Sequence, residues 1–283
     1  MDHQLSGIDH VIIGVRDLEM ARAQYARLGF NSTPRGRHVG WGTANYCIMF
    51  EHDYLELLGI VDPAQFTNQL DRFLEEREGI LALALASRDA DTTQLAWTLS
   101  GLQPEAARSL GRLLEVDGDA VELRFRNVGL PRSSTGGVSL FACQHLTPQP
   151  MRRPSWLAHP NGARAIHSCT IATSDPASLG DAMARLFGAA AITATDQVVA
   201  AHTGQGVIIV APPEDALLMH PMAEIQEHLL EPRLVSLSVS VADPDRAADF
   251  LRLQGVAFER SRNGDVLLPP RETHGVALEL VYV

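Results

Sequence analysis

GIDHVIIGV at positions 7–15, Asp17 with LEMARAQYARLG at 18–29, and YLELLGI at 54–60 form the stretch whose reading decides the fold. The first run is apolar and rich in β-branched residues, which predicts a strand. Asp17 stands where a helix needs a side-chain acceptor for its unpaired amides. The residues after it carry apolar side chains at helical spacing and stop at Gly29, where a helix end favours a left-handed residue. Runs at 36–42 and 45–50 predict two more strands, and YLELLGI a third. The unit is one strand, one helix and three strands.

Working outward, the same order returns three times. ILALALAS at 80–87 precedes Asp89 and a helix to about 102, followed by AVELRFRNV at 120–128 and VSLFACQH at 138–145. AIHSCTIAT at 165–173 precedes Asp175-Pro176, a helix to Gly188, and strands at 198–202 and 207–211. LVSLSVSVA at 234–242 precedes Asp243-Pro244, a helix to Gly255, and a closing strand at 276–283. Asp caps each helix, and Pro after it suits the first turn. One such unit leaves a sheet face bare, and pairing two units buries it. The expected fold class is therefore α+β, with four βαβββ modules paired into two domains, at 1–147 and 164–283. The Pro-rich residues 148–163 form the connection.

Composition narrows the function. Of the 283 residues, 46% are apolar and only 6% aromatic, so the cores must be mostly aliphatic. A net charge of −11 repels phosphate backbones and anionic lipid, which argues against nucleic acid or a membrane surface as partner. No apolar run is long enough to cross a bilayer. MDHQLSGIDH has no basic stretch followed by an apolar one, so no secretory signal is expected. Cys47, Cys143 and Cys169 are far apart and form no C-x-x-C pair, which disfavours disulfides and thiolate zinc. A cytoplasmic protein with a small-molecule ligand is expected.

Asp9-His10-Val11, GRHVGWGTAN at 36–45 and Tyr54-Leu55-Glu56-Leu57 resemble the recurrent motifs of the glyoxalase-like domain branch of the vicinal oxygen chelate superfamily. CQHLTP at 143–148 and HPNGA at 159–163 add family-like segments. The resemblance implies two glyoxalase/dioxygenase-like domains. It also implies one divalent metal (Fe, Mn, Zn or Ni) held inside the curved sheet by residues of first and last strands. By position His10 and Glu56 are its ligands, and His167 with Glu279 make a second candidate site. Ala82, Phe141 and Ser236 depart from the pattern, because each stands where a ligand is expected. The resemblance implies a metal-dependent lyase, isomerase or dioxygenase acting on a small oxygenated molecule. A non-catalytic binding or sequestering protein of the same fold is the alternative. On this reading the second half serves shape and the contacts of a homodimer.

The candidate residues each carry two readings. Alternation places Ile8, His10 and Ile12 on one face, and Tyr54, Glu56 and Leu58 on a face that meets it. A carboxylate among apolar neighbours needs a metal, a cation or a proton. Glu56 is thus a ligand that doubles as proton acceptor, or else an exposed strand residue. His145 is a third ligand beside His10 and Glu56, or a surface residue at a strand end. Arg37, His38, Trp41, Thr43 and Asn45 line a substrate in the Gly-rich stretch, or form a plain hairpin. Arg124 and Arg126 face an anionic substrate, or sit on a solvated strand face.

Overall fold

The computed structural model describes residues 3–226, 229 and 231–283. Residues 1, 2, 227, 228 and 230, which the expected domain ranges include, lie outside the described residues. The first half runs β1 (Leu5–Gly14), α1 (Leu18–Arg27), β2 (Gly36–His38), β3 (Thr43–Met49), β4 (Tyr54–Ile60) and α2 (Leu70–Glu76). It continues with β5 (Gly79–Ser87), α3 (Ala90–Leu99), β6 (Arg108–Val116), β7 (Asp119–Gly129) and β8 (Leu140–His145). These strands close into a barrel in the order β1-β4-β3-β2-β6-β7-β8-β5. Within each unit the first strand lies parallel to the last, β1 to β4 and β5 to β8. Two antiparallel seams, β1 with β5 and β2 with β6, join the units.

The connection holds a short helix, α4 (Pro154–Leu157). The second half follows as β9 (Ala163–Ala172), α5 (Pro176–Phe187), β10 (Ile192–Thr195), β11 (Val198–His202), β12 (Val207–Ala211) and α6 (Pro213–Met219). It ends with β13 (Arg233–Val241), α7 (Pro244–Leu253), β14 (Glu259–Arg260), β15 (Val266–Leu268) and β16 (Ala277–Val281). Its eight strands form one sheet, with β9 and β13 paired antiparallel at the centre. Among the described residues no helix is long and apolar enough to cross a membrane.

The four recurrent aspartates do what their spacing predicts. Asp17, Asp89, Asp175 and Asp243 each accept a hydrogen bond from an amide in the first turn of α1, α3, α5 and α7. The reading gave no residues for α2, β6, β10, α6, β14 and β15. One continuous apolar cluster holds Leu28 after α1, Trp97 of α3, Leu186 of α5 and Leu251 of α7, together with outward residues of both sheets. Hydrogen bonds stitch this layer across the halves: Trp97 Nε1 donates to Leu186 O at 3.2 Å, and Tyr25 Oη to Thr273 O at 3.1 Å.

One irregularity in β1 positions the interior. Its ladder with β5 pairs Ile8 with Leu85 and then His10 with Ala84, so Asp9 is the extra residue of a bulge. The bulge corrects the simple alternation. Ile8 turns outward into the shared apolar layer, while Asp9 and His10 are both directed into the barrel. The same break recurs in β9, which pairs Ile166 with Val239 and Ser168 with Ser238, leaving His167 as the extra residue.

Close approaches of the first half to the residues that follow it make two stability predictions. Gly29 ends α1 at φ +85°, and a Cβ there would lie 2.8 Å from Asn161 Cβ. Gly40 has φ +76° and open space around it. Gly29→Ala should therefore cost about 2–4 kcal/mol, from backbone strain plus overpacking, and Gly40→Ala about 1 kcal/mol from strain alone. Urea titrations should separate the two midpoints; equal losses would mean that the approach of Asn161 is immaterial.

Asp53, buried before β4, accepts from the Ile166 amide at 2.9 Å through one oxygen, and its other oxygen has no partner. Burial pushes this carboxyl up to about 7, with the Ile166 amide and the nearby Arg152 charge offsetting only part of the shift. Between pH 4 and 7 the folded state therefore keeps a proton that the unfolded chain has lost, and stability falls as pH rises through this window. Asp53→Asn should remove that slope, which is at most about 1.4 kcal/mol per pH unit, and gain on the wild type up to about pH 8. Denaturation at pH 5 and pH 8 reads the difference, and parallel curves for the two proteins would contradict the assignment.

Candidate functional site

The inward residues of the barrel enclose a cavity of about 620 Å³, within the range of small-molecule sites. His10 from β1, His38 from β2 and Glu56 from β4 lie on its wall, with Trp41 at the turn after β2. Glu56 is only 4% exposed. His10 Nε2 stands 3.5 Å from Glu56 Oε2, and His38 Nε2 stands 3.8 Å from Glu56 Oε1. Asn45 Nδ2 donates to Glu56 Oε1. Burial alone would raise the Glu56 carboxyl. The charges of His10, His38 and Arg112, with the Asn45 hydrogen bond, outweigh it and hold the group below its ordinary value. Burial lowers His38, and the Glu56 carboxylate opposes the shift only in part.

Both imidazoles are oriented from behind. His10 Nδ1 lies 2.6 Å from Asp9 Oδ2, and His38 Nδ1 lies 2.9 Å from Thr43 Oγ1. Each contact engages Nδ1 and leaves Nε2 turned toward Glu56. A carboxylate behind a histidine is a common backing for a metal ligand. The His10 ring also stacks on Tyr54, with centroids 4.4 Å apart, and meets the edge of Phe141 at 5.7 Å.

Asp9 ties a second histidine. His145 Nε2 lies 3.0 Å from the same Asp9 Oδ2. Burial would raise Asp9, but the His145 charge and the hydrogen bonds from His10 and His145 hold it well below the usual carboxylate range. His145 thus braces Asp9 where the sequence reading places it as a third ligand beside His10 and Glu56. Asp9, His10 and Cys143 also offer ligand atoms within 4.8 Å of one another. In that group the Cys143 thiol is raised well above its ordinary value by burial and by the Asp9 and Glu56 charges, which favours the protonated form.

Other candidates fall outside the cavity. Gly36 faces Asn45 and Arg112, so Arg37 points the other way, into solvent. Leu123 and Phe125 fill the inner face of β7, which turns Arg124 and Arg126 outward. Arg126 pairs there with Asp91 at the start of α3, its NH2 2.7 Å from Asp91 Oδ1. Thr43 and Asn45 act on the cavity through His38 and Glu56.

The second half places different residues at the matching positions. His167 occupies the bulge position that Asp9 holds in β1, so Ser168 stands in the place of His10. Glu279 accepts from Ser238 Oγ at 3.0 Å and lies 2.8 Å from Nδ1 of His220, which follows α6. His220 Nε2 in turn meets Thr170 Oγ1 at 2.8 Å. Ala216, Ala223 and Leu229 pack in one cluster with Ala172, Val235 and Ala277 of β9, β13 and β16. The chain thus covers its own inner face.

Sequence reasoning missed Arg112, on β6. Its partner across the β2 ladder is His38, its side chain is 3% exposed, and it lines the same cavity. The available signal was an arginine at the parity of Leu110 and Leu114 in RSLGRLLEV, a charge where alternation expects an apolar residue.

A family model described as a glyoxalase-like domain matches residues 8–187, from within β1 to the end of α5. A hypothetical protein from Staphylococcus aureus superposes with a TM-score of 0.69 at 10% identity, over 98% of this chain and 99% of its own. A variant of 4-hydroxymandelate synthase from Streptomyces coelicolor gives 0.58 at 13% identity, over 98% of this chain and 92% of its own. A fusion protein of a xylose isomerase-like TIM barrel and a 4-hydroxyphenylpyruvate dioxygenase gives 0.60 at 15% identity, over 98% of this chain and 48% of its own. No curated protein sequence matches. At such identities the solved structures speak for the fold alone, a vicinal oxygen chelate architecture of paired βαβββ units. The family match spans most of the chain, and the protein belongs to the glyoxalase-like domain family.

Proposed function

We propose that the chain is a divalent-metal-dependent enzyme acting on a small oxygenated molecule in the barrel cavity, with His10 and Glu56 as ligands of the cation. The observation that carries this reading is the buried Glu56 carboxylate at the cavity wall, faced by two imidazole Nε2 atoms whose Nδ1 atoms are engaged elsewhere. Two histidines and one carboxylate suit Fe(II), Mn(II) or Zn(II), so the donor set fits such an ion. The third ligand in this reading is His38, because His145 is committed to Asp9. When bound, the cation supplies a Lewis acid that polarises a ligand oxygen.

The chain's own residues do the rest. Asp9 and Thr43 fix the two rings. Asn45 holds Glu56 Oε1, which leaves Oε2, 3.5 Å from His10 Nε2, as the oxygen that would accept a proton from substrate. Tyr54 and Phe141 pack against the His10 ring and limit its movement.

A binding protein without catalysis is the second reading, and one observation favours it. Ile12 pairs with Glu56 in the first unit, and the matching pair in the second is Ala84 with Phe141. The second unit thus contributes no acid at that place.

Calorimetric titration of the EDTA-treated protein with Mn(II) and with Zn(II) tests the proposal. The wild type should bind one equivalent, and Glu56→Gln should weaken binding by about tenfold or more. Glu279→Gln, in the covered half, should leave it nearly intact. A wild type that binds neither ion would end the enzyme reading and leave the binder. Loss with Glu279→Gln alone would move the site to the other half.

A further inference from the structure

Arg112 is a charge buried without a matching partner. Its guanidinium offers five N–H groups. NH1 donates to Cys47 Sγ at 3.0 Å and NH2 to Met151 Sδ at 3.3 Å, and both acceptors are weak. Nε has no partner at all. Among the described residues no carboxylate lies within salt-bridge distance of this side chain, although Glu56 is near enough for its charge to be felt. The Phe125 ring, 5.6 Å away, offers only its π-face. A buried cation left this way is costly, and the planar fork of a guanidinium is shaped for two parallel bonds to a carboxylate.

The surroundings narrow the ligand further. Arg112 lies opposite His38 in the β2–β6 ladder, so an anion on the guanidinium sits beside the His38–Glu56 contact. On the same wall Asn127 has an idle side-chain oxygen. Ile12, Leu58, Leu81 and Phe141 supply an apolar surface, and Phe73 of α2 adds to it. We propose that Arg112 is the carboxylate-binding residue of the cavity, and that the ligand is a small carboxylic acid with an apolar body. The acid group seats on the Arg112 fork, and the body lies against the aliphatic and aromatic wall. This rests on the reading that the barrel cavity is the binding site, and it needs no metal.

The test compares acids with their neutral isosteres. Full-length EDTA-treated protein is titrated by calorimetry with 3-phenylpropionate and hexanoate, and with 3-phenylpropionamide and hexanamide. The wild type should bind at least one acid, with its amide about tenfold weaker or worse. Arg112→Met should lose that preference, so that acid and amide bind alike, while Arg124→Gln on the outer face should retain it. An amide that binds the wild type as well as its acid overturns the proposal. So does failure of both acids to bind, or an Arg112→Met protein that still prefers the acid. The wild-type comparison decides the matter even where Arg112→Met does not fold. Because no metal is present, a retained acid preference beside absent metal binding removes the enzyme reading alone. Normal metal binding without an acid preference removes this proposal alone.

Discussion

A charged side chain sealed inside a barrel must have opposite charge or hydrogen bonds beside it. This barrel encloses two carboxylates, Asp9 and Glu56, and one guanidinium, Arg112, and the arrangement of the interior follows from accommodating them. Asp9 is held between two imidazoles. Glu56 is held between two imidazoles and an amide. His10 belongs to both groups, which makes them one network spanning β1, β2, β3, β4 and β8. Remove the bulge in β1 and Asp9 would point away from the interior, His10 would lose its backing, and His145 would face nothing.

The strands and the shared apolar layer serve that network. Their outward side chains pack with the helices between the halves, so the barrel is gripped from outside and its inner face is free to carry polar groups. The same division explains why the outward Arg126 of β7 pairs with an exposed acid near a helix start, where an ion pair contributes little. It also explains why an arginine at an inward position, Arg112, is of a different kind.

Much of the fold was legible because capping and alternation are local. Four aspartates at helix starts, and β4 and β12 read to the residue, needed no knowledge of distant partners. His10, His38 and Glu56 were likewise legible as polar residues in apolar or Gly-rich strands. What was hidden depends on pairing. The extra residue at Asp9 exists only relative to β5, and it moved Ile8 to the other face and His167 out of the place of His10. Arg112 stayed invisible because β6 was not recognised as a strand, and without the strand there is no parity to make its charge conspicuous. His220 was unreadable because its partner, Glu279, is 59 positions away in sequence.

The covered face of the second half has a meaning beyond its own packing. Glu279 lies against an imidazole from the same chain, so that partner arrives at the very high effective concentration of an intramolecular group. Dilution and dialysis do not remove it. Of two related sheets in one chain, the first lines a cavity with its polar residues, and the second meets a side chain that was synthesised with it.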